Sequence, residues 1–369
     1  MSAACSPDVL VVGLGPAGAA AALAAARVGA RVMAVERNVA PGLPVQCAEF
    51  VPEPIFDDAP QARGAQVQPI GRMITQVGDD APDITPGFRG QMIDRARFDQ
   101  ALISAAQSAG ADCHFGLAVL GLGPEGVLLA DGQTLRPRII IGADGPLSAV
   151  GRAVGCVNTA LVHTRQITVD LLQPHDATDI FLRTDYPGGY GWLFPKGTAC
   201  NLGLGVDPAH RQHLKPLLSG LYAELVAAGR VGSAIRRATG GLIPVGGIVG
   251  LQGWLGATHI FLAGDAAGLT HPVTGAGIAS AVGSGRMAGE AAAALLSGQT
   301  GAGDDYEEEI RAVYEPSLAH ALIRRRELME SEPGPQALRA SWIAYPQYWT
   351  KDRGHNIRSR QELPLEASA

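Results

Sequence analysis

Apolar and polar stretches alternate over the first 36 residues in a way that predicts a strand, a helix and a second strand. Residues 8–12 form a short apolar run that is typical of a buried parallel strand. Residues 16–28 are rich in alanine and predict a helix, and residues 30–35 are apolar again. The uncharged stretch 9–26 is long enough on paper to cross a bilayer, but glycines and a proline interrupt it. We therefore predict a β-α-β unit here rather than a membrane span.

Two more helices and two more apolar strands continue this pattern. Residues 95–108 and 275–297 predict helices, and the second of them is rich in small residues. Residues 138–141 and 258–263 predict buried strands that each run into a glycine. Residues 41–90 carry many prolines and glycines with little periodicity, so we expect loops with short strands there.

The middle of the chain changes to the two-residue alternation of antiparallel strands. The predicted strands and the helix that follows them are 165–172, 179–184, 190–195, 198–206 and 208–229. Neither a repeat nor a low-complexity linker separates this region from its neighbours. The domains are therefore expected to be interleaved rather than strung in series.

Composition and charge narrow the class of protein. Apolar residues make up 47% of the 369 residues, which excludes intrinsic disorder, and the 48 glycines follow no three-residue period. The formal net charge of −6 argues against a general nucleic-acid partner. The five cysteines are widely spaced, with no CxxC motif or His/Cys cluster, so we predict no disulfide framework and no metal site. Free thiols of this kind fit a reducing cytoplasm.

The glycines are concentrated where the first strand meets the first helix. The sequence GLGPAG at 13–18 matches a dinucleotide-binding turn. In such a turn Gly13 permits the tight bend, Gly15 lets the backbone approach a pyrophosphate, and Gly18 lets helix and strand pack closely. Glu36 ends the next strand, where a carboxylate can bind a ribose hydroxyl, and Arg37 follows it. The alternative is a turn of the same shape that binds no nucleotide.

Two further glycine motifs also follow predicted strands. The first, GADGPLS, contains Asp144 and Gly145, and its alternative is an ordinary Asp-Gly turn. The second, GDAAG, contains Gly264 and Asp265, and a carboxylate at this strand end can bind a polyol chain. Residues 275–278 (GAGI) then open a helix, whose N–H groups can stabilise negative charge on a reduced ring. The alternative is a glycine-rich helix start with a capping aspartate.

In this order, the three motifs resemble the FAD-binding fold of the para-hydroxybenzoate hydroxylase and glutathione reductase type, over about residues 5–300. The resemblance implies an α/β fold, with a Rossmann-like FAD-binding domain interleaved with an antiparallel β-sheet substrate domain and followed by a C-terminal helical region. The implied bounds are 1–158 and 245–303 for the FAD-binding domain, 159–244 for the substrate domain, and 304–369 for the C-terminal helical segment and tail.

The same resemblance assigns roles to individual residues. Glu36 would bind the ribose, Asp265 the ribityl chain, and residues 275–278 the N1/O2 edge of the flavin. Arg95 matches an arginine that contacts FAD in the family, and its alternative role is that of a charge at a helix start.

The segments 190–196 (YGWLFPK) and 201–205 (NLGLG) are similar to the signature of geranylgeranyl reductases. In that family the aromatic strand lines a cavity for a long apolar chain beside the flavin. Aromatic rings offer large apolar area at low entropic cost, and glycines let a substrate or a backbone come close. The alternative is a core strand of the kind that related hydroxylases and halogenases also contain.

Cys47 lies in a segment that resembles the cysteine-containing segment of the reductases, near the isoalloxazine. It is a candidate proton donor or flavin-tuning group, and its alternative is a buried structural cysteine. His271 can also approach the flavin, or serve as a structural hydrogen bonder. The predicted catalytic residues are Cys47, Tyr190, Trp192 and His271. The predicted FAD-binding residues are Gly13, Gly15, Pro16, Ala17, Gly18, Glu36, Arg37, Gln46, Cys47, Ala48, Arg95, Asp144, Gly145, Gly264, Asp265, Gly275, Ala276, Gly277 and Ile278.

The leading hypothesis is an FAD-dependent oxidoreductase whose reduced flavin gives a hydride to an apolar, prenyl-like substrate while a protein acid gives the proton. Since no second Rossmann motif exists, NAD(P)H or a ferredoxin-type donor would dock transiently. One alternative is an accessory flavoprotein that passes electrons to a lipoyl or other protein partner in lipoate assembly or peptide-derived quinone maturation. Another is a flavin-dependent monooxygenase.

The aromatic residues within 342–349 leave two interpretations open. They can cap the substrate domain, or they can form a patch for a protein partner or a membrane surface. We expect a cytoplasmic protein for which peripheral membrane contact is possible.

Overall fold

The computed structural model describes residues 6–332 and 334–350. Its strands, in chain order, are β1 (Val9–Val12), β2 (Val32–Glu36), β3 (Phe50–Pro52), β4 (Gln66–Val77), β5 (Asp83–Ile93), β6 (Asp112–Phe115), β7 (Val119–Gly123), β8 (Gly126–Leu129), β9 (Thr134–Leu135), β10 (Ile139–Gly142), β11 (Leu161–Leu171), β12 (Ala177–Leu182), β13 (Gly191–Lys196), β14 (Ala199–Val206), β15 (Val231–Pro244), β16 (Gln252–Leu255) and β17 (Thr258–Leu262).

The α-helices are α1 (Pro16–Arg27), α2 (Ile55–Asp58), α3 (Arg95–Ser108), α4 (Ala149–Ala153), α5 (Leu214–Ala227), α6 (Ile278–Leu296), α7 (Ala302–Glu330), α8 (Pro335–Ala340) and α9 (Pro346–Trp349). Short 3-10 helices span Pro60–Ala65, Pro208–His213 and Gly264–Ala267. Within the described ranges, none of the helices combines the length and the apolar character that crossing a bilayer would require.

The first sheet is the Rossmann-like layer, with the strand order β16-β17-β10-β1-β2-β6. Its neighbouring strands are parallel, apart from the pair β16 and β17. Strands β1 and β10 are buried along their whole length, as expected for a parallel sheet that is covered on both faces. The strands predicted at 8–12, 30–35, 138–141 and 258–263 are confirmed, with small shifts at their ends.

Helices α1 and α6 pack against each other through small residues. A Cβ at Gly285 would lie 2.1 Å from the carbonyl oxygen of Ala17, and a Cβ at Gly289 would lie 2.4 Å from that of Ala21. The small residues of both helices therefore serve close packing. This contact brings the start of α6 next to the glycine turn after β1.

The second sheet has the strand order β15-β11-β14-β13-β12-β4-β5-β3, while β7, β8 and β9 form a small separate sheet. The second sheet is antiparallel except for the pair β4 and β12. Leu202 and Leu204 pack on one of its faces with α5. Trp192 and Phe194 pack on the other face with Trp342.

Two long strands contradict the expectation of loops at 41–90. Strands β4 and β5 have 12 and 11 residues, and β4 pairs with β12. Residues 66–93 thus belong to the second sheet, although the predicted division places them in the FAD-binding domain at 1–158. The sequence conceals these strands because their registers shift between Gln66 and Gln68 and between Ile70 and Arg72, which breaks the two-residue period. The other domain bounds stay a prediction.

The C-terminal region is helical in α7, α8 and α9, and the rest of the predicted tail, 351–369, lies outside the described residues. Trp342, Tyr345 and Tyr348 are buried. Pro346 is the first residue of α9, so the aromatic residues of 342–349 do not share one continuous helix. Since Trp342 and Tyr345 pack with residues of the second sheet, this segment caps one face of that sheet.

Candidate active site

The glycine turn after β1 has the shape that the sequence predicts. Gly13 has a φ of +94°, and a Cβ there would lie 2.4 Å from the carbonyl oxygen of Ala143. A Cβ at Gly18 would lie 1.8 Å from the carbonyl oxygen of Gly13. Gly15 differs from both, because a Cβ there would meet no described atom within 4 Å. Packing therefore requires the first and third glycines, whereas the second leaves open space at the N-terminus of α1, which begins with Pro16.

Strands β2 and β10 flank β1. Glu36 is the last residue of β2, Asp144 lies just after β10, and both carboxylates have hydrogen-bond partners in the protein. Glu36 accepts a hydrogen bond of 3.0 Å from the backbone N–H of Leu14, which ties β2 to the glycine turn. Asp144 accepts a hydrogen bond of 2.6 Å from the backbone N–H of Ala149 at the start of α4. Gly145 has a φ of +83° and open space around it. The Asp144 carboxylate thus serves the local turn, and Gly145 has open space beside it.

Asp265 and the start of α6 lie side by side. Asp265 accepts a hydrogen bond of 2.5 Å from the Thr270 hydroxyl, and burial raises the pKa of its carboxyl, against the effects of Thr270 and Arg95. A Cβ at Gly277 would lie 3.2 Å from Asp265 Oδ1. No described side chain caps α6, so its first N–H groups are available to a negatively charged group.

Arg95, at the start of α3, pairs with Asp99, and its charge also acts on Cys47 and Asp265. Its guanidinium binds the Asp99 carboxylate through hydrogen bonds of 2.9 and 3.0 Å. Burial lowers the pKa of Arg95, but Asp99 and Cys47 raise it above its usual value, so the group stays charged. The sequence prediction missed Asp99, and its position four residues after Arg95 on one helix was the available signal.

The segment around Cys47 joins the first layer to the second sheet. The Cys47 carbonyl accepts a hydrogen bond of 3.0 Å from Gln166 Nε2, and the Ala48 carbonyl accepts one of 3.2 Å from Asn201 Nδ2. Burial raises the pKa of the Cys47 thiol, and the charge of Arg95 opposes this rise. The thiol therefore keeps its proton at neutral pH.

Glu49 is a buried charge that the sequence prediction did not include. It is 2% exposed. Its Oε1 accepts hydrogen bonds from Lys196 Nζ at 2.8 Å and from the backbone N–H of Arg95 at 3.0 Å. Its Oε2 accepts one from Asn201 Nδ2 at 2.9 Å, and its own N–H lies 3.2 Å from Cys47 Sγ. The sequence signals were that Glu49 ends the cysteine-containing segment 46–49, and that Lys196 and Asn201 belong to the two signature segments.

The polar groups of the two signature aromatics bind other parts of the protein. Trp192 Nε1 donates a hydrogen bond of 3.1 Å to Gln166 Oε1. A Cβ at Gly203 would lie 2.4 Å from the Trp192 indole, so this glycine makes room for the indole rather than for a substrate. The Tyr190 hydroxyl donates a hydrogen bond of 2.6 Å to the Thr274 carbonyl, and burial raises its pKa. The polar atom of each ring is therefore paired within the protein, and the rings themselves belong to, or pack against, a buried apolar cluster.

His271 precedes the α6 loop and is held by both ring nitrogens. Its Nδ1 accepts a hydrogen bond of 3.2 Å from the backbone N–H of Thr274, and its Nε2 lies 3.4 Å from the Tyr348 hydroxyl. Burial, assisted by His320, lowers the pKa of His271 to about 4. The ring is neutral at neutral pH, which favours the structural role over that of an acid.

Trp342 completes the apolar surface from the C-terminal segment. Its ring centroid lies 4.7 Å from that of Tyr190, and it is 3% exposed. Phe194 and Met73 belong to the same cluster. No pattern in the sequence connects residue 342 with the strand at 190–195. We call Tyr190, Trp192, Phe194 and Trp342 the apolar face.

The site fits FAD. The carboxyl ends of parallel strands β1, β2, β10 and β17 share one edge of the first sheet, which is where such folds bind dinucleotides. The groups there are the open backbone at Gly15, the uncapped start of α6, the Arg95 guanidinium, and the carboxylates of Glu36 and Asp265. They suit the pyrophosphate, the ring edge and the hydroxyls of FAD.

Three other residues that the sequence predicted to bind FAD, Arg37, Gln46 and Ala276, are exposed. No group of three or more metal-ligating side chains occurs in the part of the chain that the structure describes.

Comparisons with known proteins agree with this geometry. A family model for the geranylgeranyl reductase catalytic domain matches residues 159–241. The digeranylgeranylglycerophospholipid reductase of Methanocella arvoryzae is 32% identical over 346 residues, which cover 84% of each chain. The digeranylgeranylglycerophospholipid reductase 2 of Methanopyrus kandleri is 33% identical over 346 residues, which cover 86% of each chain.

Solved structures show the same architecture. A geranylgeranyl bacteriochlorophyll reductase-like protein from Thermoplasma acidophilum matches with a TM-score of 0.80 and 25% identity, over 90% of each chain. A probable FAD-dependent monooxygenase from Pseudomonas aeruginosa matches with a TM-score of 0.68 and 19% identity, over 90% of this chain and 98% of that chain, and shows the shared fold alone. These matches confirm the predicted α/β fold and the predicted family resemblance.

Proposed function

The chain belongs to the geranylgeranyl reductase family of FAD-dependent oxidoreductases, and we propose that its substrate is a prenyl-like chain carried by a lipid. The single observation that carries this proposal is the contact between the apolar face and the Cys47 segment, through the Trp192–Gln166–Cys47 hydrogen bonds. A long apolar chain on this face would lie next to the thiol. The names of the curated relatives support a glycerophospholipid as the carrier.

The side chains suit the addition of two hydrogens to a carbon–carbon double bond. Bound FAD, when reduced, would supply the hydride. Cys47 holds the proton, because burial keeps its thiol neutral at neutral pH. The Arg95 guanidinium stabilises the thiolate that remains after the proton has moved. Tyr190 and His271 are held by hydrogen bonds within the protein and position the loop before α6.

The electron donor and the cellular setting belong to the same proposal. NAD(P)H or a ferredoxin-type protein docks transiently, since the sequence carries no second Rossmann motif. The protein acts in the cytoplasm, in peripheral contact with the membrane that holds its lipid. Trp349, which is 64% exposed in the C-terminal segment, supports such a contact. Anaerobic reduction of the FAD-loaded protein by NADH, by NADPH and by a one-electron donor, followed by absorbance, identifies the donor.

The reaction itself is tested with chemically reduced, FAD-loaded protein under anaerobic conditions. A geranylgeranyl-bearing glycerophospholipid is added, and the lipid is analysed by mass spectrometry. We expect a gain of two hydrogens per double bond as the flavin is reoxidised, and a much slower gain in Cys47→Ala. Unchanged lipid beside reduced flavin contradicts the proposal. Reoxidation that requires an added protein supports the accessory flavoprotein, and oxygen insertion in air supports the monooxygenase.

A further inference from the structure

Glu49 has a backbone conformation that its surroundings must maintain. It is the only non-glycine residue with a positive φ, +70°, in the ranges 6–332 and 334–350. An ordinary side chain rarely occupies this left-handed region unless neighbouring contacts fix it. The residue sits in the turn 46–49, two positions after Cys47, so its conformation sets the course of the backbone that carries the thiol.

The contacts of the Glu49 carboxylate fix this conformation. A carboxylate that is 2% exposed is stable only when charge and hydrogen bonds replace its water. Lys196 supplies the charge at 2.8 Å, and Asn201 and the Arg95 N–H supply hydrogen bonds at 2.9 and 3.0 Å. Any other conformation of the turn would remove a buried charge from its partners.

The same network holds Cys47 at its thiol and at its backbone carbonyl. The Glu49 N–H donates to Cys47 Sγ at 3.2 Å, and Gln166 holds the Cys47 carbonyl at 3.0 Å. Asn201 binds the Ala48 carbonyl at 3.2 Å as well as the Glu49 carboxylate. The polar residues of the signature segments, Lys196 and Asn201, therefore contact the cysteine turn.

We propose that Glu49 is a positioning residue that holds the Cys47 thiol at the border between the FAD site and the apolar face. Lys196 and Asn201 act through Glu49. The proposal deepens the proposed function and rests on it only for the role of the thiol as proton donor. The position of the thiol can be measured without any lipid substrate.

The test is the rate of iodoacetamide alkylation at Cys47, followed by peptide mass spectrometry in the apo and the FAD-loaded protein. Cys113 and Cys156, which are partly exposed like Cys47, serve as internal standards. Glu49→Gln and Lys196→Met each break the ion pair, and we expect each to raise the Cys47 rate about tenfold by loosening the turn. The double variant contains no unpaired charge, and we expect its rate to return to within about threefold of wild type. Glu53→Gln, on an exposed carboxylate, is the matched control and leaves the rate unchanged.

Asn201→Ser keeps the ion pair and removes one hydrogen bond from Glu49, so we expect a smaller increase in the rate of Cys47 alkylation. This variant still tests the proposal if a charge variant fails to fold. In the steady state we expect Glu49→Gln to lower kcat and leave KM for the lipid unchanged. A Cys47 rate that does not respond to these variants overturns the proposal. So does a parallel rise at Cys113 and Cys156, which would indicate general loosening. If no lipid is reduced by wild type but the alkylation pattern holds, the proposed substrate fails and the positioning role stands.

Discussion

The two halves of the site differ in the groups that form them: one is formed mainly by backbone, and the other is held by side chains. The FAD cradle, which comprises residues 13–18, Asp265 and 275–278, is mainly backbone, and its glycines either allow close packing or leave open space. The cysteine turn 46–49 is held instead by the side chains of Gln166, Lys196 and Asn201, which lie on strands β11, β13 and β14. A backbone site should respond to an added Cβ, whereas a side-chain site should respond to a lost charge.

The sharpest contrast lies within the cradle, between Gly18 and Gly15. We expect Gly18→Ala to cost about 3 kcal/mol or more of unfolding free energy, because its Cβ would lie 1.8 Å from the Gly13 carbonyl oxygen. Gly15→Ala has open space and should leave the apo protein within about 0.5 kcal/mol of wild type. It should still weaken FAD binding at least about tenfold, because the Cβ fills space that the cofactor needs. Urea denaturation and FAD titration measure both, and equal destabilisation by the two variants would contradict the assignment.

The C-terminal segment offers a second contrast, between Trp342 and Trp349. Trp342, which belongs to the apolar face, is 3% exposed, so Trp342→Ala should lower the free energy of unfolding by about 3 kcal/mol. Trp349 is 64% exposed, and Trp349→Ala should stay within about 0.5 kcal/mol of wild type. Chemical denaturation compares the two variants. A small loss in Trp342→Ala would mean that the segment does not cap the sheet.

The cysteine turn should show coupling between its charges. Lys196→Met leaves the Glu49 carboxylate without its cation, and we expect a loss of about 2 kcal/mol, reduced from the value for a fully buried pair because Lys196 is 23% exposed. The Glu49→Gln/Lys196→Met double variant should lose less than the sum of the single variants. Denaturation of all four proteins measures the coupling. Additive losses would show that Lys196 does not act on Glu49.

The smallest effect concerns the titration of His271. Its pKa is lowered from 6.5 to about 4 in the folded protein. The unfolded chain therefore takes up a proton first as the pH falls, so the stability from this site is complete above pH 6.5 and is lost as the pH falls toward 4. Between pH 8 and pH 6, wild type should lose about 1 kcal/mol more than His271→Gln. Parallel pH curves for the two proteins would contradict a buried, neutral ring.

The same difference between backbone and side-chain sites decides what the sequence could predict. The glycine turn and the start of α6 are local patterns of a few residues, so both could be predicted from the sequence, although α6 begins at Ile278 rather than at the predicted residue 275. Helix α3 was also predicted with its observed ends, because its apolar period is regular. Glu49 lies in the recognised cysteine segment, but its contacts could not be predicted, because no local pattern connects it with Lys196 and Asn201, which are about 150 residues away.

The strands β4 and β5 were missed for a related reason. Their bulges break the two-residue period, and the strand that joins them to the rest of the second sheet, β12, is distant in the sequence. Gly203 shows a case in which the motif was recognised and the structure selects between its alternatives. The sequence indicated space for a substrate or a backbone, and a Cβ at Gly203 would lie 2.7 Å from the backbone carbonyl oxygen of Arg165 as well as 2.4 Å from the Trp192 indole.

The most direct test of the central claim is a crystal structure of the FAD-loaded protein with a bound geranylgeranyl lipid. The decisive quantity is the distance between Cys47 Sγ and the nearest double bond. We predict that the chain lies on the apolar face of Tyr190, Trp192, Phe194 and Trp342, with the sulfur within about 4 Å of that bond. A chain bound on the face that carries Leu202 and Leu204, or a sulfur beyond the reach of proton transfer, would contradict the account.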